Sequence, residues 1–190
     1  MMKKLFVLGL VLAISSMAAA GNIDLQIIAG PTAQGEYQGA PSYLPSDTIT
    51  IALVASGMGT DPDYWIGGMT VDDVTTNNGG TASNVVFNAK FDLTNYKIVN
   101  SATLLIEDIT AGIGMGDGVG NENVVWFEFH IPELPWSTII TIDATGRTWK
   151  DVFDDPLSMT YGGALEIHVV PEPMTIALLG IGGLFLRRRK

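Results

Sequence analysis

Between Ile23 and Val170 the apolar residues tend to recur at every second position, in short runs separated by Gly, Asn, Asp and Pro. A period of two puts alternate side chains on opposite faces of an extended chain, so these runs predict strands with one buried face. IDLQII, 23–28, sets Ile23, Leu25 and Ile27 on one side, and TITIALV, 48–54, does the same with Ile49, Ile51 and Leu53. Weaker alternation predicts strands over 69–74 and over 84–93, the latter with Val85, Phe87, Ala89 and Phe91 in phase. The stretch 96–110 predicts one long strand or two. In 124–131, Val125, Phe127, Phe129 and Ile131 share a face while Val124, Trp126, Glu128 and His130 share the other. Segments 137–144 and 164–170 complete the strands. TWKDVFDD breaks the rhythm: Trp149, Val152 and Phe153 fall at helical spacing, with Thr148 as a cap and Pro156 as a stop, so one short helix is expected.

Eight or nine strands with turn signals between them, such as Asn77-Asn78-Gly79-Gly80, predict an all-β antiparallel sandwich or jelly roll. Residues 30–45, with Pro31, Pro41 and Pro45, are expected to be a loop-rich passage. The stretch PSDTITIALVASG, 45–57, and the looped excursion after it resemble the opening of cohesin-type jelly rolls. That resemblance supports the fold class and carries no binding residues with it.

The two ends of the chain belong to a different pattern. Lys3 and Lys4 precede an apolar run, 5–14, and the small residues Ala18 and Ala20 suit signal-peptidase cleavage before Gly21. Residues 1–20 therefore read as a secretory signal peptide with a helical apolar segment, and 21–168 as one β-sandwich domain. The remainder, VVPEPMTIALLGIGGLFLRRRK, 169–190, has three parts. Pro171, Glu172 and Pro173 resist helix formation, since each Pro fixes its own φ and restricts the residue before it. From Met174 to Leu186, through Leu178, Leu179, Gly180 and Leu184, there is no charge and no Pro. Arg187, Arg188, Arg189 and Lys190 close the chain. As a helix the apolar run reaches roughly 20 Å, short of a hydrocarbon core of about 30 Å, so it spans only with bilayer thinning or snorkelling of the cations.

This tail resembles the PEP-CTERM sorting signal of exported proteins in Gram-negative-type bacteria that make exopolysaccharide. The resemblance implies processing near the Pro-Glu-Pro motif by an exosortase, a membrane-embedded protease. It also implies transient anchoring in the inner membrane with the basic end cytoplasmic, followed by release to the cell surface or the extracellular space.

Removing both ends changes the charge balance. The body keeps four of the ten Lys and Arg, namely Lys90, Lys97, Arg147 and Lys150, against nineteen Asp and Glu, a formal net charge of −15 for residues 21–170. A body so acidic repels nucleic acid and anionic lipid. With no Cys anywhere, disulfides, thiolate metal sites and a Cys nucleophile are excluded.

Candidate chemistry is sparse. No G-x-S-x-G elbow surrounds any Ser, and His130 and His168 lack metal-ligand spacing. Both are expected at the surface, His168 facing outward between Ile167 and Val169. The glycines of 112–120 come at alternate positions without a Gly-Lys-Ser/Thr ending, so this segment reads as a long, mobile or bulged hairpin loop and not as a phosphate cradle. Asp117, Asn121 and Glu122 are the oxygens there that a Ca²⁺ would draw on, although no EF-hand order is present. Tyr64 and Trp65, beside a loop, are the aromatics best placed to stack on a ligand such as a sugar. Trp126, Trp136 and Trp149 read more simply as core plugs. The expectation is a non-catalytic structural or adhesive surface protein that needs no cofactor; the alternative is a carbohydrate- or protein-binding module of cohesin-like shape, calcium-stabilised if those oxygens are used.

Overall fold

A computed structural model describes residues 21–114, 117–135 and 137–170, with the Tyr64 side chain excepted. The leader (Ala18 and Ala20 included), the tail (171–190), Trp136 and the Tyr64 ring therefore lie outside the described residues.

Two sheets face each other. The first has five strands in the order β12-β1-β4-β9-β6, where β1 is Gly21–Ala29, β4 Thr48–Ser56, β6 Thr81–Phe87, β9 Asn123–His130 and β12 Met159–Tyr161. The second has eight strands, in the order β2-β3-β13-β10-β5-β8-β7 with β11 paired to β5. Its members are β2 (Glu36–Tyr37), β3 (Ala40–Tyr43), β5 (Gly68–Thr76), β7 (Leu93–Ile98), β8 (Leu104–Gly112), β10 (Thr138–Thr145), β11 (Thr148–Lys150) and β13 (Leu165–Val169). Most neighbours run antiparallel; β1 with β12 and β3 with β13 are parallel.

The alternation places the core as expected. Leu25 lies opposite Leu53, Ile51 opposite Phe127 and Ile49 opposite Phe129, so three strands of the first sheet send one continuous apolar face inward. Val71, Ile106, Ile109, Ile140, Ile142 and Ile167 answer from the second sheet, all fully buried. Each such side chain contributes on the order of 1.5–3 kcal/mol of transfer free energy. Among the described residues the buried core runs from Ile23 to Val169.

The expected strand 84–93 is two pieces. Asn84 sits in the left-handed region with φ 50°, β6 stops at Phe87, and the Asn88 side chain accepts from Lys90 N–H while Phe91 N–H bonds Asn88 O, which turns the chain into β7. The stretch 96–110 divides likewise into β7 and β8, at Asn100 (φ 52°). Residues 30–45 hold two short strands, β2 and β3, where loop was expected.

The short helix expected at TWKDVFDD does not form. Thr148–Lys150 pairs with β5, Trp149 opposite Met69, which draws the indole into the core. Asp151 then accepts from Phe153 N–H at 2.8 Å and Asp155 N–H at 2.9 Å, closing a turn that leaves Phe153 in solvent. Helical spacing of three apolar residues was outweighed by strand pairing. The one helical element among the described residues is a 3-10 turn at Pro62–Tyr64, capped by the Asp61 carboxylate.

Candidate functional site

A concavity lies on the outer face of the second sheet. Gly68, Thr70, Thr110 and Gly112 alternate with the core residues Met69, Val71, Ile109 and Ala111 and so point away from the sandwich. Their small side chains leave a groove of about 450 Å³, walled on one side by Leu93 and Asn95 of β7 and on the other by Lys150 and Asp154. The Thr70 and Thr148 hydroxyls bond each other at 2.6 Å along its floor. Leu93, 70% exposed, stands on one rim, and Phe153, 67% exposed, follows the lining residue Val152 on the other.

Beyond Leu93 the groove runs into an open flank. Here β6 and β7, the terminal strands of the two sheets, lie side by side, with Phe87 and Tyr96 ring centroids 5.9 Å apart. Val86, Tyr96, Ile98 and Val99 are exposed on the same flank. Single exposed apolar residues are ordinary; here several gather on the two neighbouring terminal strands.

The electrostatics are one-sided. All four body cations are ion-paired: Lys90 with Glu122 at 2.6 Å, Lys97 with Glu107, Arg147 with Asp143 at 3.7 Å and Lys150 with Asp154 at 2.7 Å. Fifteen of the nineteen acids have no cation partner among the described residues. The hydrogen bond from Lys90 holds the Glu122 carboxyl below the usual carboxylate range, and the bond to Glu107 raises the Lys97 ammonium. Across the sandwich, burial pushes the Tyr161 phenol up to about 12; its hydroxyl donates to Asp143 at 3.0 Å, and the Arg147 guanidinium lies 3.5 Å from its ring centroid.

The residues singled out from sequence are placed differently from one another. Trp65 is half-buried against the core, its indole N–H donating to Gly59 O at 2.9 Å and the Lys90 ammonium 4.9 Å from its ring centroid. Gly118 and Gly120 pack so closely on it that a Cβ at Gly120 would lie 3.0 Å from the indole. The loop is thereby tied down at its end: Val119 is fully buried and exchanges two backbone hydrogen bonds with Ile66. Asn121 spends both ends of its amide on the Met58 backbone, Glu122 is held by Lys90, and Asp117 is exposed nearby. Among the described residues no group of three or more His, Asp or Glu is positioned to hold a metal ion.

His130 is exposed, with its Nδ1 3.2 Å from the Thr48 hydroxyl. His168 is not a surface residue: it is 3% exposed, with neither ring nitrogen hydrogen-bonded. It does point away from the core, as expected, but Tyr37 of β2 stacks on it at 4.3 Å and closes the outer face as well. The groove and open flank were missed because LTNYKI, 93–98, lacks a sustained apolar face; that broken alternation was the available signal.

No family model matches the chain, and no curated protein matches it in sequence. Solved structures do match in fold. The sixth cohesin of Acetivibrio cellulolyticus scaffoldin B, solved in complex with a Cel5 dockerin mutant, is 10% identical over 80% of this chain and 99% of that one, with a TM-score of 0.56. The cohesin module of a Clostridium perfringens family 33 glycoside hydrolase is 11% identical over 81% and 99%, with a TM-score of 0.56. A non-cellulosomal cohesin from the archaeon Archaeoglobus fulgidus is 10% identical over 84% and 97%, with a TM-score of 0.54. The body is thus a cohesin-like jelly roll, a statement about its fold.

Proposed function

We propose that this chain is an exported, non-catalytic surface module that adheres by binding another protein across the groove and open flank of its second sheet. The observation that carries the reading is the run of exposed apolar side chains from Phe153 and Leu93 to Val99, which the sandwich does not need for its own core. The cohesin-like fold supports it by analogy, since one matching cohesin was solved with a dockerin bound.

The export route is part of the same proposal. Lys3, Lys4 and the apolar leader engage secretion, and signal peptidase cuts after Ala20. The Pro171-Glu172-Pro173 motif is the processing region for an exosortase-type protease, Met174 to Leu186 holds the chain in the inner membrane until then, and Arg187 to Lys190 stays cytoplasmic. Two boundary observations support this division. Gly21 is already in β1, opposite Met159, and Val170 N–H bonds Tyr43 O immediately before Pro171, so the folded body fits between the two processing regions.

Native electrophoresis of surface extracts from the producing bacterium tests the binding half. The wild-type chain is expected in an assembly larger than itself, and a Thr110→Arg variant, which fills the groove, is expected to migrate alone. Wild-type chain running free, or a variant that stays in the assembly, would contradict the reading. For the route, intact mass should lack residues 1–20 and the apolar tail, and alanines at 171–173 should leave export intact and stop tail removal.

A further inference from the structure

We infer that β7 accepts an extended segment of another polypeptide as an added strand, and that this segment is apolar on alternate residues and flanked by Lys or Arg. The inference rests on the protein-binding reading above and names the partner's chemistry.

The backbone sets the shape of the occupant. A sheet's terminal strand presents alternate N–H and C=O groups with no partner, and natural proteins blunt such edges by shortening, bulging or covering them. On one side of this sandwich the terminal strands are β2, two residues long, and β12, three. On the other they are β6, with seven, and β7, with six. A bulge between Ser83 and Val86 interrupts β6, and its Ser83 and Asn84 side chains are tied to Glu128. That leaves β7, whose every residue is exposed. Its irregularity falls between Asn95 and Lys97, so Leu93 to Asn95 offers the most regular pairing. Its one charge, Lys97, is folded back onto Glu107.

Side chains set the chemistry. Tyr96 and Ile98 alternate on the face of β7 that turns toward the first sheet, Ile98 opposite the buried Ile106, and call for apolar residues at alternate positions of the incoming strand. Leu93, opposite Gly112, faces the groove on the other side. Strand addition in this way combines backbone affinity with side-chain selectivity. Asp92 adjoins β7 and Asp108 lies in the neighbouring β8, both without a cation, and no cation among the described residues is unpaired, so a partner meets attraction only if its flanks are positive. A second copy of this body brings the same −15 and is disfavoured.

The test uses the protein as purified from its native host and the peptide Lys-Lys-Thr-Val-Thr-Val-Thr-Val-Lys-Lys. Controls carry Glu at the four flanking positions, or Pro in place of the two central Val. Hydrogen exchange should slow at least tenfold at β7 amides with the Lys-flanked peptide, which should bind at least tenfold more tightly than either control. Leu93→Lys with Tyr96→Lys should weaken it at least tenfold while thermal unfolding is unchanged. Equal binding by the Pro control, protection confined to β5 and β8, or no protection at saturating peptide would overturn the inference. So would a peptide-free dimer that the double variant abolishes, since a second copy would then own the edge. If Thr110→Arg releases the native assembly while β7 takes no peptide, strand addition falls and the groove reading stands.

Discussion

The two flanks of the sandwich close in opposite ways. On the β2/β12 side the terminal strands are two and three residues long, and a tyrosine of β2 reaches past β3 to stack on the buried His168 of β13. On the β6/β7 side the terminal strands are seven and six residues long, and Val86, Leu93, Tyr96, Ile98 and Val99 face solvent. The same jelly roll thus buries an unpartnered imidazole on one flank under a Tyr37 that is itself half-exposed, and leaves five apolar residues uncovered on the other. Covering is within the fold's means, so the uncovered flank calls for an explanation beyond stability, and binding supplies one.

The comparison can be broken or sharpened by substitution. The largest effect belongs to the core both flanks share. Phe129→Ala should cost about 3–5 kcal/mol and is read from denaturant melts; the ring is fully buried and also abuts Gly80, where a Cβ would lie 2.4 Å away. A smaller loss would mean that the sandwich collapses around the void.

On the closed flank, His168→Phe should raise stability by about 1 kcal/mol, because an apolar ring keeps the stack with Tyr37 and removes two buried nitrogens without partners. A destabilised variant would point to a hidden hydrogen bond.

Tyr161→Phe should lose about 1 kcal/mol at neutral pH along with the bond to Asp143. The phenol also makes stability alkali-sensitive. Its folded pKa, raised from 10.0 to about 12, gives a contribution fully present below pH 10 and lost as pH rises through about 12. Melts across that window should be steeper for wild type than for the Phe variant.

Glu122→Gln should cost only about 0.5 kcal/mol, since the Lys90 pair is partly solvated. Its sign is the reverse: a lowered carboxyl contributes above the unfolded value of 4.5 and loses that contribution as pH falls through the folded one. Acid melts should therefore converge for the two proteins below that range. The smallest effect is expected on the open flank, where Leu93→Ser should shift stability by no more than about 0.5 kcal/mol.

Much of this was legible in the sequence where a strand has one wet face. In β1, β4 and β9 the period of two marks the inward residues directly, and the structure keeps them. Legibility failed where neighbours distant in sequence decide. His168 follows the alternation but is covered by Tyr37, more than a hundred positions away, so its outward direction was readable and its burial was not. Trp149 reads as helical until Met69 is set opposite it. The glycines of 112–120 read as a long, mobile or bulged hairpin loop, yet Val119 is held by Ile66 and two of those glycines make room for Trp65. The candidate site escaped for the converse reason: a strand that buries neither face in its own fold leaves no regular pattern to find.

The most direct test places a photo-crosslinking phenylalanine derivative at Leu93 or at Tyr37 of the full chain in its native host. The account predicts a discrete adduct with another protein from position 93 and none from position 37, with the position-93 adduct weakened by Thr110→Arg. Adducts from both positions alike, or from neither, would contradict it.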